Sequence, residues 1–342
     1  MSLARRPRLL CLFCQSRAFT TSTISYRDLP KPNASKQYKA TTSTETTKKP
    51  TTFPSPARSK IVPSSQLEDA PRSYGKAVDS FTPIPLSRPI GMPFPPQPGE
   101  NTGLDARTFK QRCDDFLNYE KHLERREQLT EAMSRPYFRD WRNLQFYKGA
   151  SFFPPPRCWK AERSLYFPNF CGDTLARKNY LSQDTTSVLQ GKVSIVGLFS
   201  SRWAQDQVNT FLTKEKNLKL DHILKEHPDI TQRVHINVEE NSMKAWMIRL
   251  FINNIRKSIG EEDCGRYFIV RKGLSDEIRE NIGMLNLRVG YVYLVDSECR
   301  IRWAGSGRGS PDDKDGLVNG VVRLIDEMKN PKKYFQEVQD TW

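Results

Sequence analysis

Eight residues, Lys192–Phe199 (KVSIVGLF), set the strongest limit on how this chain can fold. The run is rich in β-branched residues, carries a single charge at its edge, follows the turn pair Gln190-Gly191, and is too short to span a bilayer. It predicts a central strand buried on both faces. The period changes after Ser200-Ser201, where Trp203, Val208, Phe211 and Leu212 fall on one side of a helix that Ser200 or Ser201 can cap. A buried strand feeding a helix in this way opens a βαβ unit, so the fold class is α/β.

Composition decides how much of the chain belongs to that core. Fifteen of the 23 prolines lie before residue 101, and the first hundred residues hold 15 Lys and Arg against 6 Asp and Glu. They therefore supply +9 of the formal net charge of +15, leaving a mildly basic remainder. A high pI would otherwise point to nucleic acid, but no zinc-finger, KH or RNP1 spacing is present, and no nucleic-acid partner is expected.

Residues 1–27 carry Arg5, Arg6, Arg8, Arg17 and Arg27 with no acidic residue before Asp28, interleaved with Leu9, Leu10, Leu12 and Phe13. This is the composition of a mitochondrial transit peptide. Residues 28–103 are rich in Pro, Ser and Thr and are expected to form a disordered tether. Whether Ile84, Leu86, Ile90, Met92 and Phe94 instead lie along the folded domain is left open by the sequence.

Residues 104–170 form a third region. Asp105 is placed to cap a helix running to about Ser134, with an apolar stripe of Phe109, Cys113, Phe116, Leu117 and Leu123 that either docks on its own domain or stays exposed to bind a partner. The stretch that follows alternates aromatic with basic residues, a combination suited to partner surfaces and membrane interfaces. Trp141, Phe146, Tyr147, Phe152 and Trp159 are its candidate partner-binding residues.

Over 171–342 further elements follow: a strand at Val234–Val238, a helix at 242–259, strands at Tyr267–Val270 and Tyr291–Val295, and a last helix around Val318–Met328. The 242–259 helix has two apolar lines. One is Met243, Trp246, Met247, Leu250 and Phe251, the other Ile248, Ile252, Ile255 and Ile259. A packed helix needs an apolar arc of about 100°, and this one has more than twice that. One line is expected on the sheet, leaving the other for a neighbouring segment of the chain or for a hydrophobic partner, with Ile248 and Ile252 as candidates to meet that partner.

The order strand, helix, strand, helix, strand, short helix, hairpin, helix resembles a thioredoxin-like domain of the peroxiredoxin type. Enzymes of that fold place a low-pKa cysteine at the first helix N-terminus. Here the position reads Ser200-Ser201-Arg202-Trp203-Ala204-Gln205, and no cysteine occurs between Cys171 and Cys264. The segment before the hairpin, Asn286–Gly290, also lacks the proline that thioredoxins carry there. His222 and His227 miss the i,i+4 spacing of a helical metal pair, and GSGRGS at 305–310 reads as a turn, so no cofactor or metal is expected.

The motifs LYFPNF, GDTL, TTSVLQGKVSIVGLFSSRWAQDQVNTF and YFIVRKGLSDEIRENIGMLNLRVGYVYLVDSECRIRWAGSG resemble the fungal family of mitochondrial ATP synthase assembly factors. That resemblance covers roughly residues 141–328. It implies a non-catalytic chaperone, peripheral on the matrix side of the inner membrane, that binds newly made subunit a (subunit 6) of the F0 sector and promotes its joining to the c-ring. Two other readings stay open on residues alone: a divergent peroxiredoxin-like thiol oxidoreductase using Cys171 or Cys264, and a mitochondrial RNA-binding factor.

Overall fold

The computed structural model describes residues 66–73, 78–105, 107–134, 136, 138–176, 182–239, 242–260 and 263–330. The transit peptide expected over 1–27 and the tether up to residue 65 lie outside these, as does the side chain of Ile248.

Seven strands form one mixed sheet: β1 (Cys171–Thr174), β2 (Gln183–Asp184), β3 (Val193–Phe199), β4 (Thr231–Val238), β5 (Tyr267–Val270), β6 (Tyr291–Val295) and β7 (Ile301–Ser306). Their spatial order is β2-β1-β5-β4-β3-β6-β7. β4 runs parallel to β3 and to β5, whereas β6 lies antiparallel to β3 and forms a hairpin with β7. β3 is buried along its whole length between β4 and β6, as its unbroken apolar run requires.

Ser201 caps α5 (Arg202–Leu212), its side chain accepting from the Ala204 amide at 3.1 Å. α6 (Leu218–Glu226), capped by Asn217, leads into β4, and α7 (Ser242–Ile259) connects β4 to β5. The short α8 (Asp276–Asn281) precedes β6, and α9 (Pro311–Lys329) closes the fold behind the capping box of Ser310 and Asp313. This connectivity, a parallel βαβαβ unit followed by an antiparallel hairpin and a final helix, is that of a thioredoxin-like domain.

The two sheet faces are covered by different materials. Helices cover one, where Val208 and Phe211 of α5, Leu220 of α6 and Leu317, Val321 and Leu324 of α9 pack on Val193, Ile195, Val292 and Trp303. The other is covered largely by chain outside the βαβ unit: Leu67, Leu86 and Ile90 from the proline-rich stretch, and Phe152, Phe167 and Phe170 from the aromatic one. The tether expected over 28–103 is thus, in its described part, a strap built into the core, and the strap and the aromatic stretch share one core with 171–330.

Backbone pairing explains how a proline-rich strand can do this. Leu86 donates to the Phe153 carbonyl and Phe153 to the Ile84 carbonyl, both at 3.1 Å, while Met92 and Tyr166 exchange bonds of 2.7 and 2.9 Å. The amides that proline lacks fall between these bridges. At the strap's start the Arg72 guanidinium forks onto the Glu280 carboxylate (Nη2–Oε1 2.6 Å, Nε–Oε2 3.2 Å) and donates to the Leu67 and Glu68 carbonyls, both at 2.6 Å. Both side chains of this pair are buried.

The helix expected from Asp105 to Ser134 is two helices, α1 (Phe109–Leu117) and α2 (Tyr119–Ser134). Thr108 and Gln111 form the capping box, Asp105 binds Arg107 instead, and Asn118 breaks the run by capping the second helix. Nor does α1 dock on the domain, for none of its residues is buried. The short α3 (Arg139–Asn143) leads back to the body. One more helix, α4 (Thr185–Leu189), precedes β3 and buries Leu189.

Candidate functional site at the carboxyl ends of the parallel strands

In open α/β sheets, ligands meet the carboxyl ends of the parallel strands, and here that edge is built by three segments. β3 ends in Ser200-Ser201, whose backbone turns into α5. Residues 286–290 approach it from the strand beside β3, and the Ser200 hydroxyl donates to the Leu287 carbonyl. Residues 138–151 lie over both.

This third segment is latched by named contacts. The Asn286 amide donates to the Asp140 carbonyl at 3.0 Å, and the Gln207 side chain of α5 donates to the Lys148 carbonyl at 3.2 Å. Gln207 also accepts from Gly290 N at 2.9 Å, so one buried amide ties all three segments together. Ser151 and Tyr291 share a hydroxyl bond of 2.9 Å. Gly149 has φ +87°, and a Cβ there would stand 2.6 Å from Val289 and 2.7 Å from Leu144, so only glycine allows this approach.

Four of the five amides in the 286–290 loop are spent inside the chain. Asn286 N donates to the Tyr291 hydroxyl, Arg288 N to the Asn286 side chain, Val289 N to the Asn286 carbonyl and Gly290 N to Gln207. A loop so committed has little left to pair with an extended peptide. Neither Ser200–Gln205 nor 286–290 holds a cysteine.

Three cysteines elsewhere have thiols shifted away from reactivity. Burial pushes the Cys158 thiol up to about 11, against the opposing pull of Arg302, and burial with Asp296 nearby does the same for Cys299. The Cys171 thiol is also raised, by burial and then by Asp184 and Asp173. A redox nucleophile needs the opposite shift. Cys264 is buried, its thiol donating to the Gly260 carbonyl at 3.1 Å. Among the described residues no group of His, Cys, Asp or Glu is arranged to hold a metal, and no helix is long and apolar enough to cross a membrane.

The residues singled out in the sequence divide. Trp141 and Tyr147 are about half exposed on the 138–151 segment, and the Arg288 guanidinium lies 4.9 Å over the Trp141 ring. Phe146 is partly covered beside them. Phe152 is not a surface residue at all: it is fully buried against Tyr291 in the core, and Trp159 packs on the same core. Ile252 also departs from its expected place, because it packs with Ile255 and Ile259 on the helix-covered face. Of the other line, Leu250 and Phe251 are exposed, and the side chains of Met243, Trp246 and Met247 lie outside the described residues. Trp203, in the first turn of α5, is half exposed at the same edge, although the sequence places it on the apolar side of the helix with Val208, Phe211 and Leu212, which are buried.

A family model described as ATP10 protein matches residues 72–324. The mitochondrial ATPase complex subunit ATP10 of Eremothecium gossypii is 31% identical over 242 residues, covering 70% of this chain and 85% of that protein. That of Saccharomyces cerevisiae is 26% identical over 218 residues, covering 61% and 77%. Among solved structures, a putative thiol:disulfide interchange protein DsbE from Chlorobium tepidum aligns with 12% identity and a TM-score of 0.32, over 47% of this chain and 96% of that one. On the family match and the relative from Eremothecium, this chain belongs to the ATP10 protein family.

Proposed function

We propose that this chain is a non-catalytic assembly chaperone of the mitochondrial ATP synthase, working at the matrix side of the inner membrane as a peripheral protein. In this reading it binds newly made subunit a (subunit 6) of the F0 sector and promotes its association with the c-ring. Membership of a family whose relatives are named mitochondrial ATPase complex subunits carries the proposal. The geometry supports the absence of catalysis: the helix start offers Ser200, Ser201 and Trp203 where an oxidoreductase needs a thiolate, and three thiols are shifted toward the neutral form. Trp141, Phe146, Tyr147 and Trp203 at the strand ends, with Leu250 and Phe251 on α7, are the surface we assign to the client.

The experiment is co-purification from mitochondria labelled for newly made proteins, comparing the natural chain with a variant in which Cys113, Cys158, Cys171, Cys264 and Cys299 are Ser or Ala. Both should recover subunit a and support F0 assembly, with only small packing losses in the variant. Loss of assembly in a folded Cys171→Ser chain would instead favour a thiol oxidoreductase.

A further inference from the structure

The α1–α2 excursion is fastened at its base and bare beyond it. Gly99 N donates to Asp184 at 3.0 Å, the Asn101 side chain to the Asn169 carbonyl at 3.0 Å, and the Asn169 side chain to the Glu100 carbonyl at 3.1 Å. Past that anchor, Phe109 and Leu117 are each 80% exposed and Phe116 68%. Helices of nine and sixteen residues are marginal in water unless a face is packed, so this apolar line calls for cover.

The charges beside the line say what covers it. At 100° per residue, Phe109, Cys113, Phe116 and Leu117 fill an arc of about 100°. Lys110 and Asp114 flank one side, Arg112 and Asp115 the other. On each flank the base comes first and the acid second, the reverse of what the helix's own dipole favours. Two such helices packed in parallel would set Lys110 beside Arg112 and Asp114 beside Asp115. Packed antiparallel about Cys113, they set Lys110 beside Asp114 of the second copy, Arg112 beside Asp115, and Phe109 on Leu117.

Asp115 already binds Arg107 at 2.7 Å and also Lys121, and Arg112 lies 3.9 Å from Asp105. Lys110 and Asp114 therefore supply the sharper of the two pairings. The whole stretch 105–134 carries six basic and seven acidic residues in a chain of net charge +15, so it is a place where two copies can approach without repulsion. A helix built to lie on anionic lipid has a Lys/Arg-rich polar face, which this one lacks. The four apolar side chains from two copies amount to roughly 1,000 Å², the lower edge of a specific interface.

We propose that α1 is a homotypic contact, through which two copies of this chain pair as antiparallel helices about a two-fold axis beside Cys113. The proposal is independent of the client's identity. Sedimentation of the full chain up to about 100 μM should show a reversible dimer with micromolar Kd. Phe116→Asp with Leu117→Asp should leave it monomeric with unchanged circular dichroism. Lys110→Glu and Asp114→Lys should each weaken the dimer about 10-fold or more, and combining them should restore it. A short bismaleimide should cross-link the chain in a way that Cys113→Ser abolishes. A monomer at about 100 μM, or a dimer indifferent to the Phe116 and Leu117 changes, would overturn the pairing. So would a monomer in which those changes abolish recovery of subunit a, which would hand the surface to the client and leave the proposed function intact.

Discussion

Residues 66–94 and residues 109–134 are of comparable length, yet one reaches into the core and the other stays on the surface. In the first, Leu67, Leu86 and Ile90 are each less than 5% exposed, although among the described residues there is no helix and no strand longer than a single bridge. In the second, nearly every residue is helical and α1 buries none of them. Regular backbone and burial are therefore separate properties. The strap is held by three spaced apolar anchors, by backbone bridges to Phe153 and Tyr166, and by the Arg72–Glu280 fork. The α1–α2 excursion has local caps and ion pairs, which stabilise helices without attaching them to anything.

The largest expected effect is at the fork. Arg72→Ala removes the guanidinium fork from the buried Glu280 carboxylate, and should cost about 3–5 kcal/mol in denaturant unfolding. Ile90→Ala and Leu86→Ala remove anchors that a tether would not need, and each should cost about 2–5 kcal/mol. A smaller, pH-dependent effect belongs to the body alone. Burial between Phe199 and Tyr267 holds the His235 imidazole down at about 4 against an ordinary 6.5, so its contribution is complete above pH 6.5 and is lost as pH falls through 4. His235→Phe should flatten that part of the acid limb of a melting-temperature curve. The smallest effect is on α1, where Phe109→Ser should shift unfolding of dilute protein by no more than about 0.5 kcal/mol. A cost of about 2 kcal/mol there would mean that α1 is docked.

The sequence shows the sheet more clearly than what covers it. β3 and α5 are legible because an unbroken apolar run and a capping serine act locally, and the β6–β7 hairpin is legible for the same reason. α6 escaped notice although Asn217, Leu220 and Leu224 carry its cap and spacing, and β1 escaped because Cys171–Thr174 has no apolar alternation. The strap is illegible for a different reason: Leu86 and Ile90 have no period, and their pairing partners lie some seventy residues away. At the candidate site, aromatic and basic residues mark the segment, but Phe152 and Tyr147 look alike in sequence and only the fold decides which one is core. In α7 both apolar lines are visible, and it is the position of the sheet that sends Ile252 inward and leaves Phe251 out.

Hydrogen–deuterium exchange on dilute, monomeric protein measures the contrast directly. The amides of Leu86, Gly91 and Met92 should exchange as slowly as the outer strands of the sheet, since each donates inside the fold, while 109–134 should exchange orders of magnitude faster by local opening. Raising the concentration should slow α1 alone. Fast exchange at Leu86 and Met92, or concentration-independent protection of α1 matching that of the sheet, would contradict a strap that is fold and an α1–α2 excursion that is held in reserve for contact.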